Sequence, residues 1–268
     1  MAFAQNDSSQ DDISDSDSDV ITEVVASVTL HLKLAESEYN EDRKTLFATH
    51  IWHGSRALAN YMASSFSVER LNGSSVLELG AGAGIPSLIC HHHDAAFVCA
   101  SDYPVHSLIS VLEENIDCNR CLSASGQIKA IGYKWWVIFY RKEREYDAVV
   151  CWCCRGDDIG PILAVNGGRN YDIVLASECL WRHEQHEILA SSIASALRPG
   201  GCAVLAYSHH IPGLEDQDDN FLETARAHHF EVVKRESLRL PHMWSSSKEV
   251  DMYICEIVYR PPHSSCNL

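Results

Sequence analysis

Three glycines, at 80, 82 and 84, follow the apolar run SVLEL (75–79) and precede a proline at 86. Glycine lets a ligand approach the main chain and permits positive φ. Proline suits the first turn of a helix, and the free N–H groups there attract a negatively charged group. A dinucleotide fingerprint needs glycine at the sixth place of G-x-G-x-x-G. That place is Ile85, so a pyrophosphate fits poorly. Asp102 lies twenty-two residues after Gly80, at the end of the next apolar run; a carboxylate there can accept both hydroxyls of a ribose. A third group, SECLWRHEQH (177–186), contains Glu178, Trp181 and His183. Such residues can orient an amine, shape a channel and exchange a proton. Read without context, Glu178 serves equally well as a helix cap and the histidines as surface groups. His209 and His210 follow the run CAVLAYS (202–208) and read either as part of the same mouth or as a solvated loop.

Apolar runs and amphipathic stretches alternate along the chain. Strands are predicted at 75–79, 96–101, 127–132, 171–177, 202–208, 230–237 and 250–259, with helices at 51–66, 86–94, 106–119, 184–197 and 219–229. Residues 22–32 read as a strand or a hairpin arm. The pattern predicts an α/β fold, a mostly parallel sheet with helices on both faces. Ligands of such sheets bind beyond the carboxyl ends of the strands, which is where the glycines, Asp102, Glu178 and His209 fall.

The chain has 268 residues, 46% of them hydrophobic, and a net charge of −16. Six of the negative charges are aspartates within the first twenty residues, interleaved with serine and without any Lys or Arg. Residues 1–21 therefore read as a disordered acidic tail, residues 22–260 as one domain and 261–268 as a C-terminal tail. The acidic balance speaks against a nucleic-acid partner. There is neither a signal peptide nor a membrane-spanning run, so a cytoplasmic monomer with reduced thiols is expected. Cys118-x-x-Cys121 and Cys151-x-x-Cys154 stand 29 residues apart, too far for a zinc ribbon. The triple His91–His93 cannot all face one ion from a helix. No metal is expected.

The G-x-G-x-G turn preceded by Glu78 is typical of enzymes that use S-adenosylmethionine (AdoMet). Together, WHGSRALANYM, VLELGAGAGIPSLI, SDYP, GYKW, YDIVLASECLW, LRPGG and YSHHIPGLEDQDDNFLETA resemble the family-16 seven-strand methyltransferases. The nearest branch is the protein N-terminal and lysine methyltransferases of elongation factor 1-alpha, some of them once labelled nicotinamide N-methyltransferase-like. The resemblance spans roughly residues 45–260. It implies a Rossmann-like seven-stranded sheet, mostly parallel with a terminal antiparallel strand. It also implies AdoMet contacts from Trp52, Gly80, Ala81, Gly82, Asp102, Trp135 and Ser177. Trp135 is suited to stack on adenine, Trp52 to cover the cofactor, and Ser177 stands where the methyl group is presented. Without the resemblance either tryptophan reads equally as core.

The implied activity is methylation of a protein amine, a lysine side chain and/or an N-terminus. The alternatives are a small-molecule amine acceptor such as nicotinamide, or an inactive binding module on the same fold. Family members usually carry Asp where this chain has Glu178, which keeps the charge and lengthens its reach. Residues 136–155 depart from the pattern: EYDAVV (145–150) duplicates the start of the strand NYDIVL (170–175). The block reads as an atypical insert or a retained intron.

Overall fold

The computed structural model describes residues 20–35, 47–66, 68–135, 158–243 and 245–262. The acidic tail up to residue 19, the block at 136–155 and the end of the C-terminal tail lie outside these residues. The chain starts with a hairpin, β1 (Ile21–Val25) and β2 (Val28–Leu32), so Ile21 belongs to a strand and not to the tail. There follow α1 (His53–Ser64), α2 (Val68–Leu71), β3 (Ser75–Leu79), α3 (Ile85–His92), β4 (Phe97–Asp102), α4 (His106–Cys118) and β5 (Gln127–Gly132). The second half holds α5 (Gly160–Val165), β6 (Tyr171–Ser177), α6 (His186–Ala196), β7 (Leu197–Ser208), α7 (Glu215–Asp219), α8 (Phe221–Ala227), β8 (Phe230–His242) and β9 (Ser245–Tyr259).

Among the described residues β3 to β9 form one seven-stranded sheet in the order β5-β4-β3-β6-β7-β9-β8. Every pairing from β5 to β7 is parallel, and β9 alone runs against its neighbours. The antiparallel strand is the last in the chain but lies between β7 and β8, not at the edge. Strands β3, β4, β6 and β7 are buried almost throughout, as expected where helices cover both faces. Alternate side chains serve opposite layers. Val76, Val98 and Leu175 pack with Leu58 and Met62 of α1; Leu77, Cys99 and Val174 pack with Leu189 and Ile193 of α6 and Phe221 of α8.

Several elements differ from the sequence reading. The single helix expected at 219–229 is broken at Asn220 into α7 and α8. The last two strands are several residues longer than expected: β8 reaches His242 and β9 starts at Ser245. Strand β9 pairs with β7 only through Met252–Val258. Its earlier residues pair with β8 alone, so the hairpin runs on past the sheet as a two-stranded arm. The β1–β2 hairpin is fastened to α4 by two asparagines one turn apart. Asn119 Oδ1 accepts from His31 N (3.0 Å) and its Nδ2 donates to His31 O (2.7 Å). Asn115 makes the same pair with the main chain of Lys33 (2.6 and 3.0 Å).

Candidate active site

The carboxyl ends of β3, β4, β6 and β7 open into one cavity of about 360 Å³. That volume is within the range of small-molecule sites. At one end is the glycine turn. Gly82 has φ +54°, and a Cβ on it would meet nothing within 4 Å, so its bare main chain faces open space. Gly84, at φ +82°, caps α3, and a Cβ there would stand 2.7 Å from Leu112 Cδ1. The turn is held to the next strand by Gly80 N and Ala81 N, which donate to Ser101 O (2.9 and 3.0 Å).

Asp102 closes the same end. Its Oδ2 accepts from Gly82 N (2.7 Å) and its Oδ1 from Tyr103 N (2.6 Å). Each oxygen keeps acceptor capacity, and burial pushes the carboxyl pKa above its usual range. Trp135 is buried on the cavity wall beside Gly80. Open glycine main chain, a carboxylate with spare lone pairs and an indole face are the groups that the amino-acid end, ribose diol and adenine of AdoMet require. The residues therefore fit that cofactor. Behind the turn, Glu78 is fully buried. Its Oε2 accepts from Ser87 N (3.0 Å) and Ser87 Oγ (2.5 Å), and its Oε1 has no partner among the described residues. Burial raises its pKa to about 8 against the opposing Ser87 hydrogen bonds.

The other end of the cavity is aromatic and rich in histidine. Trp52 precedes α1, Ser177 ends β6, and Glu178 and Trp181 follow it on the wall. Ser208, His209 and His210 come from the end of β7, and His242, Met243 and Val250 from the tip of the β8–β9 arm. Glu178, at φ +54°, turns its side chain back across the site. Oε1 accepts from Gly54 N of α1 (3.1 Å), and Oε2 from Ser208 N (3.1 Å) and His210 Nε2 (2.9 Å). Ser208 Oγ lies 3.3 Å from both oxygens. Glu178 does cap a helix, but it is α1, 124 residues back in the chain, and not the helix that follows.

His183 is the one expected site residue that does not line the cavity. It sits in a 3-10 turn (His183–Gln185), and its Nε2 is 2.7 Å from Asp218 Oδ1. The same carboxylate, nearly fully buried, holds His209 Nδ1 at 2.8 Å. Asp218 thus ties together the two loops that carry Trp181 and His210. Sequence reasoning missed Asp218, Ser208 and the arm tip. The acidic run EDQDD (215–219) just after two histidines was the available signal for the first. Cys179 also lines the cavity, but burial pushes its thiol pKa well above the usual range, which leaves no reactive thiolate. Cys118 and Cys121 are exposed at the end of α4; Cys151 and Cys154 lie outside the described residues. Among the described residues no group of His, Cys, Asp and Glu is placed to hold a metal ion, and no helix is long and apolar enough to cross a membrane.

A glycine turn, an acid ending the adjacent strand and a seven-stranded sheet in the order β5-β4-β3-β6-β7-β9-β8 define the class of Rossmann-like methyltransferases. The family model described as "Lysine methyltransferase" matches residues 32–154. This match and the relatives below support assignment of the chain to the family-16 methyltransferases. The chain is 29% identical over 195 residues to the protein N-terminal and lysine N-methyltransferase efm7 of Schizosaccharomyces pombe, covering 71% of this chain and 67% of that one. It is 27% identical over 241 residues to EFM7 of Yarrowia lipolytica, covering 81% and 80%. Solved structures share the fold at low identity. A Streptococcus mutans protein described as a SAM-dependent methyltransferase gives a TM-score of 0.55 at 12% identity, over 90% of this chain and 55% of that one. A Pyrococcus horikoshii protein described as an RNA methyltransferase gives 0.52 at 13%, over 84% and 94%.

Proposed function

We propose that this chain transfers a methyl group from AdoMet to an amine of a protein, a lysine side chain and/or an N-terminus. Elongation factor 1-alpha is the substrate, met in the cytoplasm by a monomeric enzyme. One observation carries the reading: a single cavity joins a bare glycine turn with Asp102 to a wall of Trp52, Trp181 and histidines. The first end suits a nucleoside with an amino-acid tail, and the second suits a long apolar side chain ending in nitrogen. The two curated relatives compared above are named for this activity.

AdoMet supplies a methyl group already activated on a sulfonium, so the protein's task is alignment and exclusion of water. Gly80, Ala81, Gly82 and Asp102 hold and orient the cofactor. Trp135 backs its base. Ser177 stands at the junction of the two ends, and Trp52 and Trp181 flank the path to it. Incubation of the protein with tritiated AdoMet and purified elongation factor 1-alpha, whole lysate or nicotinamide tests the reading. Label on protein supports it. Label on nicotinamide alone replaces it with a small-molecule methyltransferase, and no label in any arm with AdoMet bound in calorimetry replaces it with a binding module.

A further inference from the structure

Glu178 has no open face for an incoming amine. A carboxylate offers about four acceptor positions, and here its oxygens serve Gly54 N, Ser208 N, Ser208 Oγ and His210 Nε2. Its side chain is 7% exposed. His210 is more open, with 30% of its side chain exposed on the wall of the same cavity. Its ring stands edge-on to Trp52, 5.4 Å between centroids. Because a carboxylate only accepts, the hydrogen of the neutral ring is on Nε2 and the lone pair on Nδ1. Among the described residues Nδ1 makes no hydrogen bond.

Resting on the reading of this site as an amine methyltransferase, we propose that His210 takes the proton from the acceptor amine. Glu178 is the positioning residue that fixes the tautomer and direction of the ring. An imidazole oriented by a carboxylate is a recurrent general base. The substrate ammonium gives one proton to Nδ1, which leaves a lone pair on nitrogen. The nitrogen–carbon bond then forms as the carbon–sulfur bond breaks, the electron pair of that bond staying on sulfur. The methylated ammonium keeps its charge, and Nδ1 passes its proton to water at the mouth. Desolvation among Trp52, Trp181 and Met243 lowers the pKa of the arriving ammonium toward that of the imidazole.

Glu178 from the end of β6, Asp218 from α7 and Trp52 just before α1 act on the ring, and His53 of α1 and His242 at the tip of the arm share its cavity. Burial pulls the His210 pKa down, but the Glu178 hydrogen bond and the charges of Glu178 and Asp218 outweigh it, and the net direction is upward. Folded His210 is therefore charged below a midpoint above 6.5, and methyl transfer rises as pH passes through that midpoint.

The test uses the full chain, the variants His210→Asn and Glu178→Gln, elongation factor 1-alpha as acceptor and tritiated AdoMet. NMR titration of the His210 Cε1–H without cofactor gives its midpoint independently of turnover, and calorimetry gives AdoMet affinity. The expected midpoint is above 6.5 in the wild type and lower in Glu178→Gln, and the acid limb of kcat/KM moves with it. His210→Asn keeps its AdoMet affinity, loses the limb and turns over about 10²–10⁴-fold more slowly. A His210→Asn enzyme within threefold of wild type with the limb intact overturns the assignment, and so does a wild-type midpoint at or below 6.5. A midpoint that ignores Glu178→Gln removes Glu178 from the positioning role. Absence of transfer by the wild type at every pH overturns the proposed function as well; normal wild-type transfer with an unaffected His210→Asn overturns this inference alone.

Discussion

Replacing Gly54 by alanine probes how tightly Glu178 is packed against α1. A Cβ on Gly54 would lie 2.6 Å from Glu178 Cγ and 2.8 Å from both Cδ and Oε1. In an open helical site the same change stabilises by about 0.5–1 kcal/mol, since glycine loses more freedom on folding. Here the carboxylate has to move, and moving it breaks its bonds to Gly54, Ser208 or His210. One hydrogen bond to a charged group is worth about 1.5–3 kcal/mol. Subtracting the helical gain leaves a loss of about 0.5–2.5 kcal/mol. At about 2–4 °C per kcal/mol for a domain of this size, Tm falls by roughly 1–10 °C. In a Glu178→Asp background the shorter side chain withdraws from α1, and the same alanine becomes neutral or stabilising. Scanning calorimetry of the four proteins closes a double-mutant cycle. A rise in Tm for Gly54→Ala alone, or an equal loss in both backgrounds, refutes the packing argument.

Three further outcomes follow from other parts of the site. Asp102→Ala weakens AdoMet binding by about 1–3 kcal/mol, the cost of leaving polar partners unpaired; unchanged affinity in calorimetry removes Asp102 from the ribose role. Burial raises the folded Glu78 pKa to about 8 from the ordinary 4.5, so folding takes up a proton between those values. The stability it contributes is present below pH 4.5 and is lost as pH rises to 8, at up to about 1.4 kcal/mol per pH unit. Glu78→Gln flattens that slope in denaturant titrations from pH 5 to 8, and a slope that survives the substitution assigns it to another group. Joining Trp135 directly to Gly156 leaves Tm and the methyl-transfer rate at least at wild-type values, because among the described residues β3 to β9 already form the seven-stranded sheet; a large drop in either makes the block integral.

The sequence carried those features whose cause is local. Strands β3, β4 and β6 were legible because each is a short apolar run closed by a turn or an acid. The glycine turn was legible because three residues without Cβ in five positions have few other uses. Asp102 followed from its place at the end of a strand. What stayed hidden depends on side chains that reach across the chain. Glu178 meets Gly54 over 124 positions and His210 over 32, and no spacing rule links them. The mouth of the site shows the same limit. Val250 is apolar in a run that reads as ordinary strand, and only the length of the β8–β9 arm brings it, with His242 and Met243, to the cavity. His183 reads as a wall residue from its neighbours Glu178 and Trp181, but its ring is bound to Asp218 and does not line the cavity.

The asparagine clasp on the N-terminal hairpin sets an order of events during synthesis. His31 and Lys33 emerge first, yet the side chains that hold them, Asn119 and Asn115, come 88 and 82 residues later. At about 5–20 residues per second, the ribosome needs roughly 4–18 s to deliver them. A lone two-stranded hairpin is marginally stable at best in water. For those seconds Leu30 and Leu32, both fully buried in the finished protein, have no core to enter, and the hydrogen-bonding edge of β2 is open to other chains. The arrival of α4 closes both at once. Until then this stretch of the nascent chain has a claim on a chaperone.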